Sequence, residues 1–392
     1  MSKLKPHQHP EQGSFFKEEY TVTDAITFPT NYAAIEERIA QINPSKYAKS
    51  RNFINGAVTY LSPYISRGVI SLPQVKDIIA SKFKYYESEK LIQELAWREY
   101  FQRQWQFYGN KLFTDVKQPQ QNVAHYKIPQ AIIDATTTID GIDIAIKTLY
   151  DTGYMHNHCR MYAAMLTCNI AQAHWLQPAK WLYYHLLDGD LASNHFSWQW
   201  VAGSYSSKKY FANQENISRY TNSNQKRSYL AVDYEHINAM PIPDALAPII
   251  SFNLQTNLPK NTSIQLDNGL PLLVYNSYNL DPKWHKDEAA NRVLLLEPSH
   301  FMAYPVSDKV LNFVLQLAKE NIPNIQIFVG EFNDLKVQYS NGSAINIYYK
   351  EHPTTQHYQG IQENRDWLCP TVTGYFPSFF AYWKKAEKVL RY

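Results

Sequence analysis

The chain is short of cysteine, of long apolar runs and of charge of either sign. Its three cysteines, Cys159, Cys168 and Cys369, are scattered and odd in number. That excludes a disulfide framework or a four-thiolate cluster built within the chain and points to a reducing compartment. No run of about 18 uncharged apolar residues occurs, so no membrane-spanning helix is expected. The N-terminal MSKLKPHQHPEQG has no apolar stretch behind its charges, so no secretory leader is expected either. A cytoplasmic, monomeric protein without metal ligation is the reading that follows. The net charge of +3 neither demands nor forbids a nucleic-acid partner.

Aromatic residues are plentiful. They make up 15% of the chain, with 9 Trp and 30 Tyr, and serve either as core packing or as stacking sites and electron-transfer paths. At 392 residues the chain suits two domains, or one large helical domain with an appendage.

Residues 1–30 are polar and aperiodic and read as an arm. Over 31–225 the pattern is helical: NYAAIEERIAQI, LIQELAWREYFQRQWQFYG and IDIAIKTLYDTG repeat apolar residues at spacings of three and four and stop at Gly or Pro. Residues 226–290, rich in Asn, Ser, Pro and Asp, read as a linker and irregular extension. Over 291–392, RVLLLEP, KVLNFVLQLAKEN, IQIFVGEF and AINIYYKEHP alternate strand, helix and strand, as a small α/β domain with a parallel sheet would. The fold class expected is mainly α, with a small C-terminal α/β segment.

The chemistry concentrates in GYMHNHCRMYAAMLTCNIAQAHW and in PAKWLYYHLLDGDLASNHFSWQWVAGSYSSKKYFANQENISRY. Singly these residues are ambiguous. Arg160 with Asp188 reads equally as a buried ion pair, Trp175, Trp198 and Trp200 as core, and His156 or His158 as structural. Upstream, Thr59, Leu61 and Ser62 fall at a turn before a helix beginning near Pro63, where hydroxyls and free N–H groups suit a pyrophosphate. An ordinary N-cap by Ser62 explains the same residues.

In order and spacing, Tyr47 to Tyr220 resembles the FAD-binding domain of photolyases and cryptochromes. The pattern of tight turn, Met-His-Asn, Arg, Trp, Asp-Gly-Asp, Asn and Trp-Gln-Trp runs from Gly153 to Trp200. YAKSRNFINGAVTYLSPYISRGVIS resembles the segment that holds the flavin pyrophosphate. The resemblance implies a helical domain that binds FAD through Tyr47, Thr59, Leu61, Ser62, Arg98, Asn157, Arg160, Asp188, Asp190 and Asn194. It places the Arg160–Asp188 pair against the flavin ring, Asp190 toward the ribose or adenine, and Asn194 at N5, where an amide can donate or accept. Val58 stands where the family has another hydroxyl.

Trp198 and Trp175 match the first two tryptophans of the family's electron chain. No Trp lies between Trp105 and Trp175 to act as the third, and Tyr126 is the candidate substitute. Glu94, Trp97, Asn157, Met161 and Trp200 match the pocket of cyclobutane pyrimidine dimer photolyases, whereas relatives acting on the other major ultraviolet lesion carry histidines at the positions of Asn157 and Met161. The resemblance therefore implies DNA containing pyrimidine dimers as partner and light-driven dimer splitting as activity. Two flat rings and the polar groups of Glu94 and Asn157 suit a lesion extruded from the duplex. His158, where many members have Arg, weakens a phosphate contact. A cryptochrome-like photoreceptor that binds FAD and repairs nothing is the alternative. The family's α/β domain ordinarily comes first and can hold an antenna pigment. Here an α/β segment comes last, as a reduced or permuted counterpart, with no antenna motif.

Overall fold

The computed structural model describes residues 26–260, 263–340 and 346–392. Most of the arm expected over 1–30 lies outside the described residues. Local capping sets the first helices. Asn31 accepts from the Ala33 N–H at 3.0 Å to start α1 (Tyr32–Ala40), and Asn43 accepts from Lys46 at 2.9 Å to start α2 (Pro44–Ser50). A short α3 (Ser62–Ser66) precedes α4 (Leu72–Ala80), which Ser71 caps through Gln74 at 3.2 Å.

The spine of the molecule is α5 (Tyr85–Tyr108), 24 residues long and so about 36 Å. Its Glu87 carboxylate reaches back to the Lys84 N–H at 3.0 Å. It is not a surface helix: Leu91, Leu95, Ala96, Tyr100 and Trp105 are all buried. After it come α6 (Gln130–Asp134), α7 (Asp140–Thr152), α8 (Asn157–Met165), α9 (Leu176–His185), α10 (Leu191–Ala202), α11 (Gln214–Thr221) and α12 (Tyr234–Ile237), of which α10 packs directly against α5 and in turn carries α8 and α9. A two-residue antiparallel pair, β1 (Ile128–Pro129) and β2 (Ile249–Ile250), ties the end of this unit back to its middle.

Five parallel strands form the second unit, in the order β5-β4-β3-β6-β7. They are β3 (Leu272–Tyr275), β4 (Asn291–Leu296), β5 (Gln326–Val329), β6 (Ile347–Lys350) and β7 (Ile361–Glu363). Helices α13 (Pro298–Ala303) and α14 (Asp308–Asn321) link β4 to β5, α15 (Phe332–Ser340) links β5 to β6, and α16 (Phe379–Leu390) closes the chain. This is a doubly wound order, with its reversal between β3 and β6.

The position of β3 corrects the sequence expectation, because it lies within the stretch read as linker (226–290). Its LLVY run is only four residues long between Pro- and Asn-rich flanks, too short for a periodicity argument. Yet it is the central strand, buried on both faces, and there an unbroken apolar run is what packing requires.

Alternation on the strands joins the two units. Leu273, Tyr275, Leu294 and Leu296 face a core shared with α1, α4, α5, α14 and α16, while Leu272, Val274, Val293 and Leu295 face Phe328, Phe332 and Leu335. A third core holds α7 to α10. The buried Glu99 carboxylate of α5 fastens the C-terminal segment, accepting from the Cys369 N–H at 2.9 Å, the Tyr382 hydroxyl at 2.8 Å and the Leu368 N–H. Burial raises the pKa of Glu99 against the pull of these three donors.

Candidate functional site

Two loops and the ends of four helices bring most of the sequence-predicted residues together. The turn after α7 depends on Gly153, whose φ is +74° and whose missing Cβ would stand 2.6 Å from Leu187 Cγ. The Gly153 carbonyl accepts from the Leu187 N–H at 2.8 Å, so this turn is pinned to the Asp-Gly-Asp loop before α10. Across that junction Arg160 reaches Asp188. One guanidinium nitrogen donates to both carboxylate oxygens at 2.9 and 3.0 Å, and Nε donates to the Met155 carbonyl at 2.8 Å. The guanidinium also lies over the buried Tyr154 ring at 5.6 Å. Desolvation raises the Tyr154 phenol well above its ordinary range.

His156 starts α8, accepting from the His158 N–H at 3.2 Å through Nδ1. Its Nε2 is thereby the donor, and lies 3.0 Å from the Arg51 carbonyl. Burial pushes this imidazole down to about 4, which keeps it neutral. Asn157 is the first residue of α8 and is exposed, with Met161 one turn on and half-buried.

Asp190 caps α10 through the Ser193 N–H at 2.7 Å. Its second oxygen accepts from Gln102 Nε2 at 2.5 Å and sits 3.7 Å from Arg98, whose guanidinium donates to Ser66 Oγ at 2.5 Å. Both oxygens are thus committed to joining α10, α5 and α3. This differs from the sequence expectation that Asp190 presents its carboxylate to a ribose or adenine. Gln102 and Ser66, which complete the link, were not singled out in the sequence, where they carry no signal of their own.

Asn194, one turn into α10, is 9% exposed. Its Nδ2 donates to the Ala179 carbonyl at 2.8 Å, and among the described residues its Oδ1 has no donor. The adjacent Ser193 Oγ is buried without a partner among the described residues. At the other end of the predicted cradle, Ser62 does not cap α3. Leu61 occupies the cap position, no side chain bonds the first turn, and Thr59 Oγ1 accepts from the Leu61 N–H at 3.5 Å. Tyr60 between them holds φ at +53°, a conformation a bulky side chain rarely adopts.

An open helix start, a guanidinium held by its carboxylate, a free amide oxygen and an unpartnered hydroxyl are the kinds of group a flavin dinucleotide needs. The residues present therefore fit that cofactor.

The five predicted pocket residues are not all gathered. Glu94 bridges Arg51 at 3.4 Å and Lys90 at 3.0 Å. Tyr47 lies beside it, its phenol raised by burial and by the Glu94 carboxylate. Arg51 also meets His156, so Glu94, Tyr47 and the start of α8 share one rim; Arg51 itself was missed in the sequence. Trp200 is 39% exposed, 5.9 Å from the Tyr210 ring. Trp97 instead lies flat on Phe379 of α16, ring centroids 3.7 Å apart and planes 9° apart. Trp175 and Trp198 are buried in the α7 to α10 core. His158, the departure from the family pattern, stacks on Tyr220 at 4.7 Å.

A fold of this kind, with an Arg–Asp pair and an amide set behind an Asp-Gly-Asp loop, defines a flavin-binding helical domain. Comparison with known proteins agrees. Residues 91–237 match the family model described as the FAD binding domain of DNA photolyase. The chain is 29% identical over 170 residues to the deoxyribodipyrimidine photo-lyase of Synechococcus sp., covering 40% of this chain and 35% of that one. It is 32% identical over 120 residues to the deoxyribodipyrimidine photo-lyase of Escherichia coli (29% and 25% covered). With the cryptochrome DASH of Ostreococcus tauri it shares 31% over 189 residues (45% and 33% covered). It thus spans about a third or less of these curated relatives' own length. Among solved structures, a Synechocystis cryptochrome is similar over 53% of this chain and 46% of that one, at 24% identity and a TM-score of 0.45. Residues 91–237 are thus similar to the FAD-binding domain of photolyases and cryptochromes, and FAD is the cofactor of that domain. Among the described residues no helix is long and apolar enough to cross a membrane.

Proposed function

We propose that this protein uses FAD and light to split cyclobutane pyrimidine dimers in DNA. The observation that carries the reading is Asn194. Its amide is oriented by the Ala179 carbonyl so that Oδ1 is left as a free acceptor beside the loop that holds the Arg160–Asp188 pair. Bound FAD, when reduced and excited by light, would supply the electron that such splitting needs. The chain's own residues prepare that exchange. Arg160, fixed by Asp188 and Met155, holds positive charge where an anionic ring would lie. Asn194 Oδ1 can accept a ring N–H. Thr59, Leu61 and Ser62 offer a helix start to the pyrophosphate, with Tyr47 and Arg98 beside it. Glu94 and Asn157 provide polar contacts at the rim, and Met161 and Trp200 provide apolar surface for a flipped base.

The test is illumination of the purified chain with reductant and an oligonucleotide carrying one thymine dimer. Restoration of the intact thymines, dependent on light and on flavin, is expected; a flavin-loaded chain that leaves the dimer untouched overturns the reading. A second reading, a photoreceptor that binds FAD and repairs nothing, is favoured by one observation: the Trp97 face that a lesion would use lies against Phe379.

A further inference from the structure

Away from the cradle, one polar residue sits against a buried indole. Trp175 is fully buried, and its Nε1–H donates to Asp115 Oδ1 at 2.7 Å. The other oxygen of Asp115 accepts from the Gln120 N–H at 2.9 Å, and the Gln120 side chain in turn accepts from the Trp175 N–H at 2.9 Å. Loop and indole thus fix each other. His174 adds a third group: its Nε2 is 3.6 Å from the same Asp115 oxygen, while its Nδ1 accepts from the Leu176 N–H at 3.3 Å, which puts the ring proton on Nε2, facing Asp115. Tyr126, 70% exposed, stacks on His174 at 5.0 Å and 28°, and His174 stands 5.7 Å from the Trp175 ring at 34°. The result is a continuous run of rings from solvent to the core, with a carboxylate at its inner end.

Packing alone does not require this arrangement. A buried indole needs one acceptor, and a backbone carbonyl would serve without the cost of a carboxylate that is itself only 22% exposed. A carboxylate differs from a carbonyl in being able to keep a proton. That matters when indole loses an electron, because the oxidised ring is a far stronger N–H acid than the neutral one.

We propose that Asp115 is the proton acceptor for Trp175 when this tryptophan is oxidised, and that Tyr126, through His174, is the outer electron donor that restores it. The inference rests on the flavin binding proposed above and takes as its one-electron oxidant the same cofactor in its oxidised, photoexcited form. One electron leaves Trp175 and its Nε1 proton moves to Asp115 Oδ1, giving a neutral indolyl radical and a carboxylic acid. Tyr126 then gives up one electron to the indolyl ring and its phenolic proton to water, while Asp115 returns its proton to Nε1. The net change is one electron from Tyr126 to the oxidant and one proton from Tyr126 to solvent. Asp115 is in this scheme a positioning and proton-holding residue for Trp175.

Flash photolysis of the FAD-loaded full chain, followed by transient absorption and electron paramagnetic resonance, reads the radicals directly and independently of repair. A long-lived tyrosyl radical is expected in the parent chain. Tyr126→Phe should replace it with an indolyl radical whose lifetime is shorter by about tenfold. Asp115→Asn keeps an acceptor for the indole N–H but cannot hold its proton. It should leave a protonated indole radical and cut the tyrosyl yield by about tenfold, with FAD content and melting temperature close to the parent's. A tyrosyl yield unchanged by Tyr126→Phe, or indole deprotonation unchanged by Asp115→Asn, overturns the proposal. A chain that takes up no flavin overturns both this and the reading it rests on. The expected radical sequence without any dimer splitting sinks the repair reading alone.

Discussion

Phe379 covers one face of Trp97 at van der Waals distance, in a stack that continues to Trp383 at 6.1 Å and 17°. Under the repair reading, a dimer that uses this face must displace Phe379. Phe379→Leu keeps apolar volume but removes the flat ring. It is expected to cost about 1–2 kcal/mol in stability, from the lost aromatic pair and imperfect refilling, while binding of a dimer-containing oligonucleotide tightens. Chemical denaturation and fluorescence anisotropy check the two halves. Unchanged or weaker DNA binding in a folded variant favours the photoreceptor reading.

The Arg160–Asp188 pair gives a second prediction. Asp188 is almost wholly buried and Arg160 is 22% exposed, so removing one partner leaves the other charged and poorly solvated. Arg160→Ala should destabilise the chain by about 3 kcal/mol and release FAD, measured as loss of visible absorbance after gel filtration. Arg160→Lys keeps the charge but loses the fork that joins the Met155 carbonyl to the Asp188 carboxylate, and should retain part of the flavin. Full flavin retention by the Ala variant argues against a cofactor role.

Much of this was readable beforehand, for physical reasons particular to each element. LIQELAWREYFQRQWQFYG and IDIAIKTLYDTG are helical as expected, and α5 and α7 end at Gly109 and Gly153, so short-range chemistry marked those boundaries. RVLLLEP is a strand as expected, β4, because a parallel strand buried on both faces needs an unbroken apolar run, and IQIFVGEF is the half-buried edge strand β5. What was not legible depends on contacts between distant segments. Trp97 and Phe379 come from opposite ends of the chain, and no local pattern in either predicts their stack. Asp190 looks in sequence like a ligand-facing acid, and only the fold brings Gln102 and Arg98 to its second oxygen. Ser62 resembles an N-cap, but the strained turn at Tyr60 moves the cap position to Leu61.

Acid stability should depend on buried histidines. Burial pushes His156, His185, His195 and His300 each down to about 4, from 6.5. A depressed histidine stays neutral in the folded chain while its unfolded counterpart binds a proton. Stability is therefore fully present above pH 6.5 and is lost as pH falls toward 4, because unfolding takes up protons across that window. Denaturant melts at stepped pH should show close to one proton taken up per histidine near pH 5. His195→Gln should lower the slope by about 1.4 kcal/mol per pH unit. A slope unchanged by that substitution contradicts the assignment.

Gly153 tests whether the turn before α8 positions the site. Any side chain there meets two obstacles: a φ of +74°, and Leu187 Cγ at 2.6 Å from the new Cβ. The first costs about 1 kcal/mol or more in the left-handed region and no neighbouring substitution can relieve it. The second can be relieved by trimming Leu187, which is itself buried and costs about 2–5 kcal/mol to truncate alone. In the double variant Gly153→Ala with Leu187→Ala, the new methyl fills part of the space the leucine leaves. The two losses should then sum to less than their separate values, a coupling that a double-mutant cycle measures. If Gly153 sets the distance between Arg160 and Asp188, Gly153→Ala alone should also weaken flavin retention, and the double variant should recover part of it. Simple additivity in both stability and retention would mean that the glycine serves the backbone turn and not the junction.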